Sequence, residues 1–150
     1  RNAHTAVAHA HQSNGQSLPL SRSWNRVYLM TGIEKDNVWR VQARAWKRIP
    51  ESSGNDDNPD LTSFIGRAEL SGYWNRDRDN TYGMTLRHSL KKDANGSVRL
   101  EWLRALGNVG ESRSSGLRLH TQLFTGYGDS LIDYNRKRTV FTVGLSLVDF

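Results

Sequence analysis

The sequence has no cysteine, so it can form neither a disulfide framework nor a cysteine-ligated metal site. It also lacks any stretch approaching the roughly 18 consecutive apolar residues that a membrane-spanning helix needs. Only 36% of its residues are hydrophobic, and the mean hydropathy is -0.69. This polar average is compatible with a soluble protein. It is equally compatible with a membrane β-barrel, whose strands alternate apolar and polar residues.

Positive charge is in excess, with 21 Lys and Arg against 15 Asp and Glu, which gives a net charge of +6. The basic residues are spread along the chain without a long block, so a solvated surface, a polar barrel lumen or contact with anionic lipid is favoured over nucleic-acid binding. The length of 150 residues, without an internal repeat or linker, predicts one domain over residues 1–150. Because a strand is predicted almost directly after Arg1, we expect this domain to be incomplete at its N-terminus.

Alternation of apolar and polar residues predicts an all-β chain. From Trp39 to Ala45 every second residue is apolar, and Arg40, Gln42 and Arg44 occupy the opposite face. A soluble sandwich would bury the apolar face, whereas a membrane barrel would turn it to lipid, and the pattern alone fits both. The predicted strands lie at about 5–13, 23–31, 38–47, 62–74, 81–90, 97–106, 116–126 and 138–149.

Residues that favour turns separate these strands, at 32–37, 75–80, 91–96 and 107–116, and two longer loops are predicted at 48–61 and 126–138. In the first long loop, Asp56, Asp57 and Asp60 are interpreted as a solvated acidic cluster rather than a cation site. Trp39, Trp74 and Tyr82 are predicted at one rim of the sheet, where a membrane barrel carries an aromatic girdle. Core aromatics at strand ends are an equally good interpretation.

The segment from His11 to Asn25 contains the parts of a serine hydrolase. His11 and Ser13 are two residues apart on a predicted strand, so their side chains leave the same face with Cα atoms about 6.5–7 Å apart. Serine is a poor nucleophile until a neighbouring base accepts its proton, and histidine is such a base near neutral pH. A hairpin centred on Leu18-Pro19 would place Asn25 opposite His11, where its amide oxygen can orient the imidazole.

The same segment offers groups that would assist the attack on an ester. The Gly15 amide is the predicted donor to the oxyanion, because it follows Ser13 closely and glycine permits tight approach. The Ser21 hydroxyl and the Gln16 carbonyl are hard oxygen ligands nearby, which suit calcium. A His-x-Ser pair occurs often by chance, so these residues indicate a catalytic site only in combination with longer motifs.

Three separated motifs resemble bacterial outer-membrane phospholipase A. They are HQSNGQSLPLSRSWNR at 11–26, DDNPD at 56–60 and GYGDSLIDYN at 126–135, followed by the C-terminal aromatic Phe150. The resemblance implies an antiparallel transmembrane β-barrel of twelve strands, of which this chain would contain the last eight. It implies a calcium-dependent hydrolase of the bacterial outer membrane that is activated by homodimerisation.

The resemblance also implies roles for individual residues. His11 would be the base, Ser13 the nucleophile that forms an acyl-enzyme with phospholipid acyl groups, and Asn25 the residue that orients the histidine. Ser21 and the backbone carbonyl at position 16 would bind calcium, and Gln16 departs from the arginine that is frequent in the family without losing that carbonyl. A second calcium site would need Asp57 and an acidic residue where this chain has Leu18.

Two other functions remain compatible with the residues. A non-catalytic outer-membrane barrel, a pore or structural protein, would explain the alternation and the basic charge. A soluble basic β-sheet binder of nucleic acid or glycan would explain the charge alone. The motifs favour the phospholipase, with phospholipid, the outer membrane and a second subunit as partners and no nucleic-acid partner.

Overall fold

Eight antiparallel strands form one sheet in the computed structural model, which describes residues 1–17, 19–50, 56, 58–92, 95–107 and 116–147. Each strand pairs with the next along the chain, so β1 and β8 are the two edges. The strands are β1 (Asn2–Ser13), β2 (Ser23–Lys35), β3 (Trp39–Ile49), β4 (Ala68–Asn75), β5 (Asn80–His88), β6 (Gly96–Ala105), β7 (Leu117–Gly126) and β8 (Arg138–Leu147). The prediction of an all-β antiparallel architecture with eight strands is confirmed. In the part of the chain that is described, no helix is long and apolar enough to cross a membrane.

One predicted strand, 62–74, is wrong in its first half. Residues Leu61–Phe64 form a short helix, α1, and β4 begins only at Ala68. Leu61 and Ile65 are four residues apart, which puts both on one side of a helical turn, and both are buried. Gly66 then takes a positive φ of 113° that ends the turn, and an added Cβ there would lie 2.8 Å from the carbonyl oxygen of His88.

The first predicted turn, 32–37, is also wrong, because β2 continues to Lys35 and pairs with β1 as far as Asn2. The reversal is confined to residues 36–38, where the Val38 amide donates to the Lys35 carbonyl and Asn37 adopts a φ of 57°. Asparagine tolerates this left-handed conformation better than most residues, so the turn needs no glycine. The remaining strand ends agree with the predictions to within about three residues, and Leu18 and Phe150 lie outside the described residues.

The two faces of the sheet differ in chemistry. One face, here called the outer face, presents exposed apolar side chains such as Leu29, Leu70 and Leu145. The opposite face, here called the inner face, carries ion pairs and hydrogen bonds, among them Arg87–Glu69 at 2.7 Å and His120–Glu101 at 3.1 Å. An apolar outside and a polar inside are the reverse of a soluble sandwich and match a barrel in lipid.

The predicted aromatic rim is present. Trp39 pairs with Trp74 and Trp74 with Tyr82, so the three rings occupy neighbouring positions on the outer face. Trp74 is 53% exposed, and its ring centroid lies 6.0 Å from that of Tyr82. The interpretation as buried core aromatics is therefore wrong.

A compact aromatic cluster covers the inner face at the other end of β2 and β3. Trp24 and Trp46 come from these strands, Leu61 and Ile65 from α1 and its end, and Tyr134 from the segment between β7 and β8. The Tyr134 hydroxyl donates a hydrogen bond to the Asp60 carboxylate. This bond joins the second and third motifs through two residues that are 74 positions apart in sequence.

Removing the Tyr134 hydroxyl tests the cluster. Burial and the Asp60 hydrogen bond raise the pKa of Tyr134 from 10.0 to about 12. We expect Tyr134→Phe to lower the free energy of unfolding by about 1–2 kcal/mol near pH 8, because a hydrogen bond to a charged acceptor is lost. Between pH 10 and 12 the folded state keeps a proton that the unfolded state releases, so the wild type loses stability over this window and the variant does not.

Thermal unfolding in detergent at pH 8 and pH 11 measures both effects. Tyr127→Phe is the matched control, because the Tyr127 ring packs on Phe64 in the same cluster. A Tyr134→Phe variant as stable as the wild type at pH 8 would show that the bond to Asp60 contributes nothing.

Candidate active site

The pairing of β1 with β2 places His11 directly opposite Asn25 on the outer face, as the hairpin predicted. Nδ1 of His11 lies 2.9 Å from Oδ1 of Asn25. Since an amide oxygen can only accept, the His11 Nδ1–H is the donor, and the neutral ring carries its lone pair on Nε2. This is the tautomer that a general base needs, because Nε2 can then accept a proton.

Ser13 lies on the same face, one alternation further along β1 and opposite Ser23. Its Oγ accepts a hydrogen bond of 3.0 Å from the Gly15 amide. The described side chains of His11 and Ser13 share this face without a hydrogen bond between them, since His11 bonds to Asn25 and Ser13 to the Gly15 amide. The predicted nucleophile, base and orienting amide thus share one exposed surface, with the predicted oxyanion donor at the nucleophilic oxygen.

Gly15 has a φ of 67°, which turns its amide back towards Ser13. A residue with a Cβ is strained in this left-handed conformation, whereas glycine adopts it without cost. The glycine is therefore needed for the backbone direction that presents the amide.

Gln12 anchors the strand beneath the site, and sequence analysis missed it. Lying between His11 and Ser13, it points to the inner face, where its Oε1 accepts from Trp24 Nε1 at 3.3 Å and from Arg26 Nη1 at 3.2 Å. The Arg26 guanidinium also lies 4.1 Å from the centroid of the Trp24 ring. Strand alternation already indicated that Gln12 faces opposite to its two neighbours, but not which side chains it meets.

Asn14 organises the loop between β1 and β2, and sequence analysis gave it no role. Its Oδ1 accepts from the backbone amides of Gln16 at 3.3 Å and Arg22 at 3.0 Å, and its Nδ2 donates to the Leu20 carbonyl at 2.7 Å. One side chain thus ties together the start and the end of the loop. The signal available in the sequence was its position beside the candidate nucleophile.

The two predicted calcium ligands in this loop, the Gln16 carbonyl and the Ser21 hydroxyl, are adjacent to the amides that Asn14 holds. They are hard oxygen donors, the kind of ligand that calcium takes six to eight of. Arg22 Nη1 donates to the backbone carbonyls of Ser21 at 2.6 Å and Pro19 at 3.1 Å. Among the described residues, no three His, Asp or Glu side chains are placed together to hold a metal, and Asp57 lies outside them.

The interpretation of Asp56 as part of a solvated acidic cluster is wrong. Its carboxylate lies 2.5 Å from Arg48 Nη2, accepts from the Asn58 amide at 3.1 Å, and is 14% exposed. Burial alone would raise the pKa of Asp56, but the hydrogen bonds from Arg48 and Asn58 hold it below its usual value. Asp56 therefore links Arg48, near the end of β3, to Asn58, just before α1.

The chain is similar to phospholipases in sequence and in structure. A family model described as phospholipase A1 matches residues 1–147. A putative phospholipase A1 of Neisseria meningitidis serogroup B is 38% identical over 141 residues, which is 93% of this chain and 34% of that protein. The chain therefore spans about a third of the length of this relative.

Solved structures show the same fold. Outer membrane phospholipase A from Escherichia coli superposes with a TM-score of 0.81 at 32% identity, covering 97% of this chain and 51% of that one. An active-site mutant of that protein, in which an asparagine is replaced by alanine, matches with a TM-score of 0.79 at 31% identity and covers 95% and 51%.

The outer membrane phospholipase of Salmonella typhi, solved as a dimer with bound calcium, matches with a TM-score of 0.80 at 31% identity and the same coverage. The family model covers nearly every residue, and the likeness in sequence and in fold runs over the same strands. The chain belongs to the phospholipase A1 family.

Proposed function

We propose that the protein containing this chain is a calcium-dependent phospholipase of the bacterial outer membrane that hydrolyses acyl esters of phospholipids. The observation that carries the proposal is the 2.9 Å contact between His11 Nδ1 and Asn25 Oδ1 on the apolar outer face, one alternation from Ser13. A site built into the interior would meet water or solute, whereas this one meets lipid.

The reaction is an acyl transfer in two halves. Ser13 Oγ attacks the ester carbonyl carbon while Nε2 of His11 takes the hydroxyl proton. The ester C–O bond then breaks, His11 returns the proton to the departing alkoxide, and the acyl group stays on Ser13. A water molecule attacks this acyl-enzyme, His11 takes and returns a proton in the same way, and the fatty acid is released with Ser13 restored.

The Gly15 amide is the donor for the oxyanion that forms in each half. It lies 3.0 Å from Ser13 Oγ before the attack. When Oγ bonds to the carbonyl carbon, it gives up this hydrogen bond and negative charge moves to the neighbouring carbonyl oxygen, to which the freed amide can then donate.

Asn25 holds the ring without adding a charge. A neutral amide costs less than a carboxylate to keep beside hydrocarbon, although it stabilises the transient imidazolium less. The active-site mutant of the E. coli relative, with alanine in place of an asparagine, supports an asparagine in this role.

Ser21 and the Gln16 carbonyl would hold a calcium ion, with water and a second subunit completing its ligands. A calcium ion held there would supply positive charge for the polarised ester carbonyl. A relative solved as a calcium-bound dimer supports a homodimer here.

The exposed apolar side chains of the outer face also support a location in a membrane. Unpaired strand edges such as those of β1 and β8 are not tolerated in hydrocarbon, so both must be paired in the whole protein. We infer that residues 1–150 belong to one barrel domain and that further strands, four by the family resemblance, close it.

Replacing Ser13 by alanine tests the nucleophile. We expect hydrolysis of phospholipid in detergent micelles to fall at least about 10³-fold, because the acyl acceptor is lost. Ser23→Ala is the matched control, since Ser23 faces Ser13 on the same surface and should leave the rate unchanged. Retained hydrolysis by Ser13→Ala, with normal folding of the barrel, would refute the assignment.

Chelation tests the calcium proposal. We expect removal of calcium to abolish hydrolysis, and Ser21→Ala to raise the calcium concentration for half-maximal activity about tenfold or more, because one oxygen ligand is lost. Ser17→Ala, in the same loop, should leave the calcium dependence unchanged. Activity independent of calcium would contradict this part of the proposal.

A further inference from the structure

The outer face carries very little charge. Within the described strands its Lys and Arg positions are Lys35, Lys47 and Arg104, and none of its positions is Asp or Glu. Lys35 pairs with Trp39. Arg104 lies two residues beyond Trp102, which pairs with Tyr82, so both basic residues lie at the aromatic rim. Lys47 stands apart from them, at the end of the sheet that bears the catalytic residues.

Lys47 is close to the catalytic pair. It pairs with Val27, while its outward neighbour on the same strand, Ile49, pairs with Asn25. Lys47 and Asn25 are therefore diagonal neighbours on one face, with Cα atoms about 7–8 Å apart. A lysine side chain spans that distance when extended.

The depth of Lys47 is set by the strand that bears it. Trp39 and Lys47 are eight residues apart on β3, about 26 Å along the strand and about 20 Å along the membrane normal at a tilt of about 40°. The apolar band of such barrels is about 25 Å tall. The Lys47 backbone thus lies just below the upper boundary of the hydrocarbon, and its exposed side chain can extend upward to the headgroups.

An amine at this depth needs an anion. Among the described residues, the outward side chains around Lys47 are His9, Asn25, Val27, Ala45 and Ile49, and none of them is an anion. The anion that a bilayer offers at this level is the phosphodiester of a phospholipid. In a phospholipid the phosphate and the acyl esters share one glycerol, so a phosphate held by Lys47 brings an ester of the same molecule near Ser13.

We propose that Lys47 is a specificity-determining residue that binds the phosphate of the phospholipid substrate. This inference rests on the proposed function and adds the group that distinguishes a phospholipid from other esters. Lys47 takes no part in proton transfer, so it affects the choice of substrate and not the chemistry of the acyl group.

The test compares two substrates of one full-length protein in non-ionic detergent, where the substrate provides the phosphate. The first is phosphatidylcholine, and the second is the p-nitrophenyl ester of the same fatty acid, which has no phosphate. We expect Lys47→Met to lower kcat/KM about tenfold for phosphatidylcholine and to leave it unchanged for the p-nitrophenyl ester. Lys47→Arg should retain both rates, because it keeps the charge.

Lys35→Met is the matched control, since it removes an outward lysine from the opposite rim and should change neither rate. An equal fall of both rates in Lys47→Met would overturn the inference and show a structural role. Unchanged rates for both substrates would overturn it as well. If the wild type hydrolyses neither substrate, the proposed function itself fails, an outcome distinct from the other two.

Discussion

The hydrogen bond between His11 and Asn25 depends on the register in which β1 and β2 pair. Side chains alternate between the two faces of a sheet, so a slip of one residue would turn Asn25 to the inner face and leave the imidazole without its partner. The same alternation puts Ser13 beside His11 and turns both to the apolar outer face. Pairing register therefore determines which side chains form the site and to which face of the sheet they are exposed.

The inner face holds that register in place. Gln12 bonds to Trp24 and Arg26 directly behind the catalytic residues, and Trp24 is packed against Trp46, α1 and Tyr134. Tyr134 in turn bonds to Asp60. The three motifs at 11–26, 56–60 and 126–135, distant in sequence, thus meet around one pair of strands. The proposed hydrolase site on the apolar outer face is therefore supported from behind by polar and aromatic contacts of the inner face.

Period-two alternation was sufficient to predict most of the strands and which residues share a face, and the hairpin centred on Leu18-Pro19 was sufficient to place Asn25 opposite His11. Alternation alone did not decide whether the apolar face meets lipid or a core. It failed where a tertiary contact decides the conformation. Leu61 and Ile65 form a helical turn in order to pack on Trp24 and Trp46, and Asp56 is buried because Arg48 reaches it. The hydrogen-bond partners of Gln12 and Asn14 could not be predicted from the sequence either, because they come together only when the hairpin of β1 and β2 has formed.

We propose that Asn25 is the residue that makes His11 an effective base. The most direct test is the rate at which a fluorophosphonate, which reacts with activated serines, labels Ser13 in the wild type and in Asn25→Ala, with the labelled residue identified by mass spectrometry. We expect labelling of Ser13 in both proteins, with a labelling rate at least about tenfold lower in Asn25→Ala. Labelling at the wild-type rate, or at another residue, would contradict this proposal.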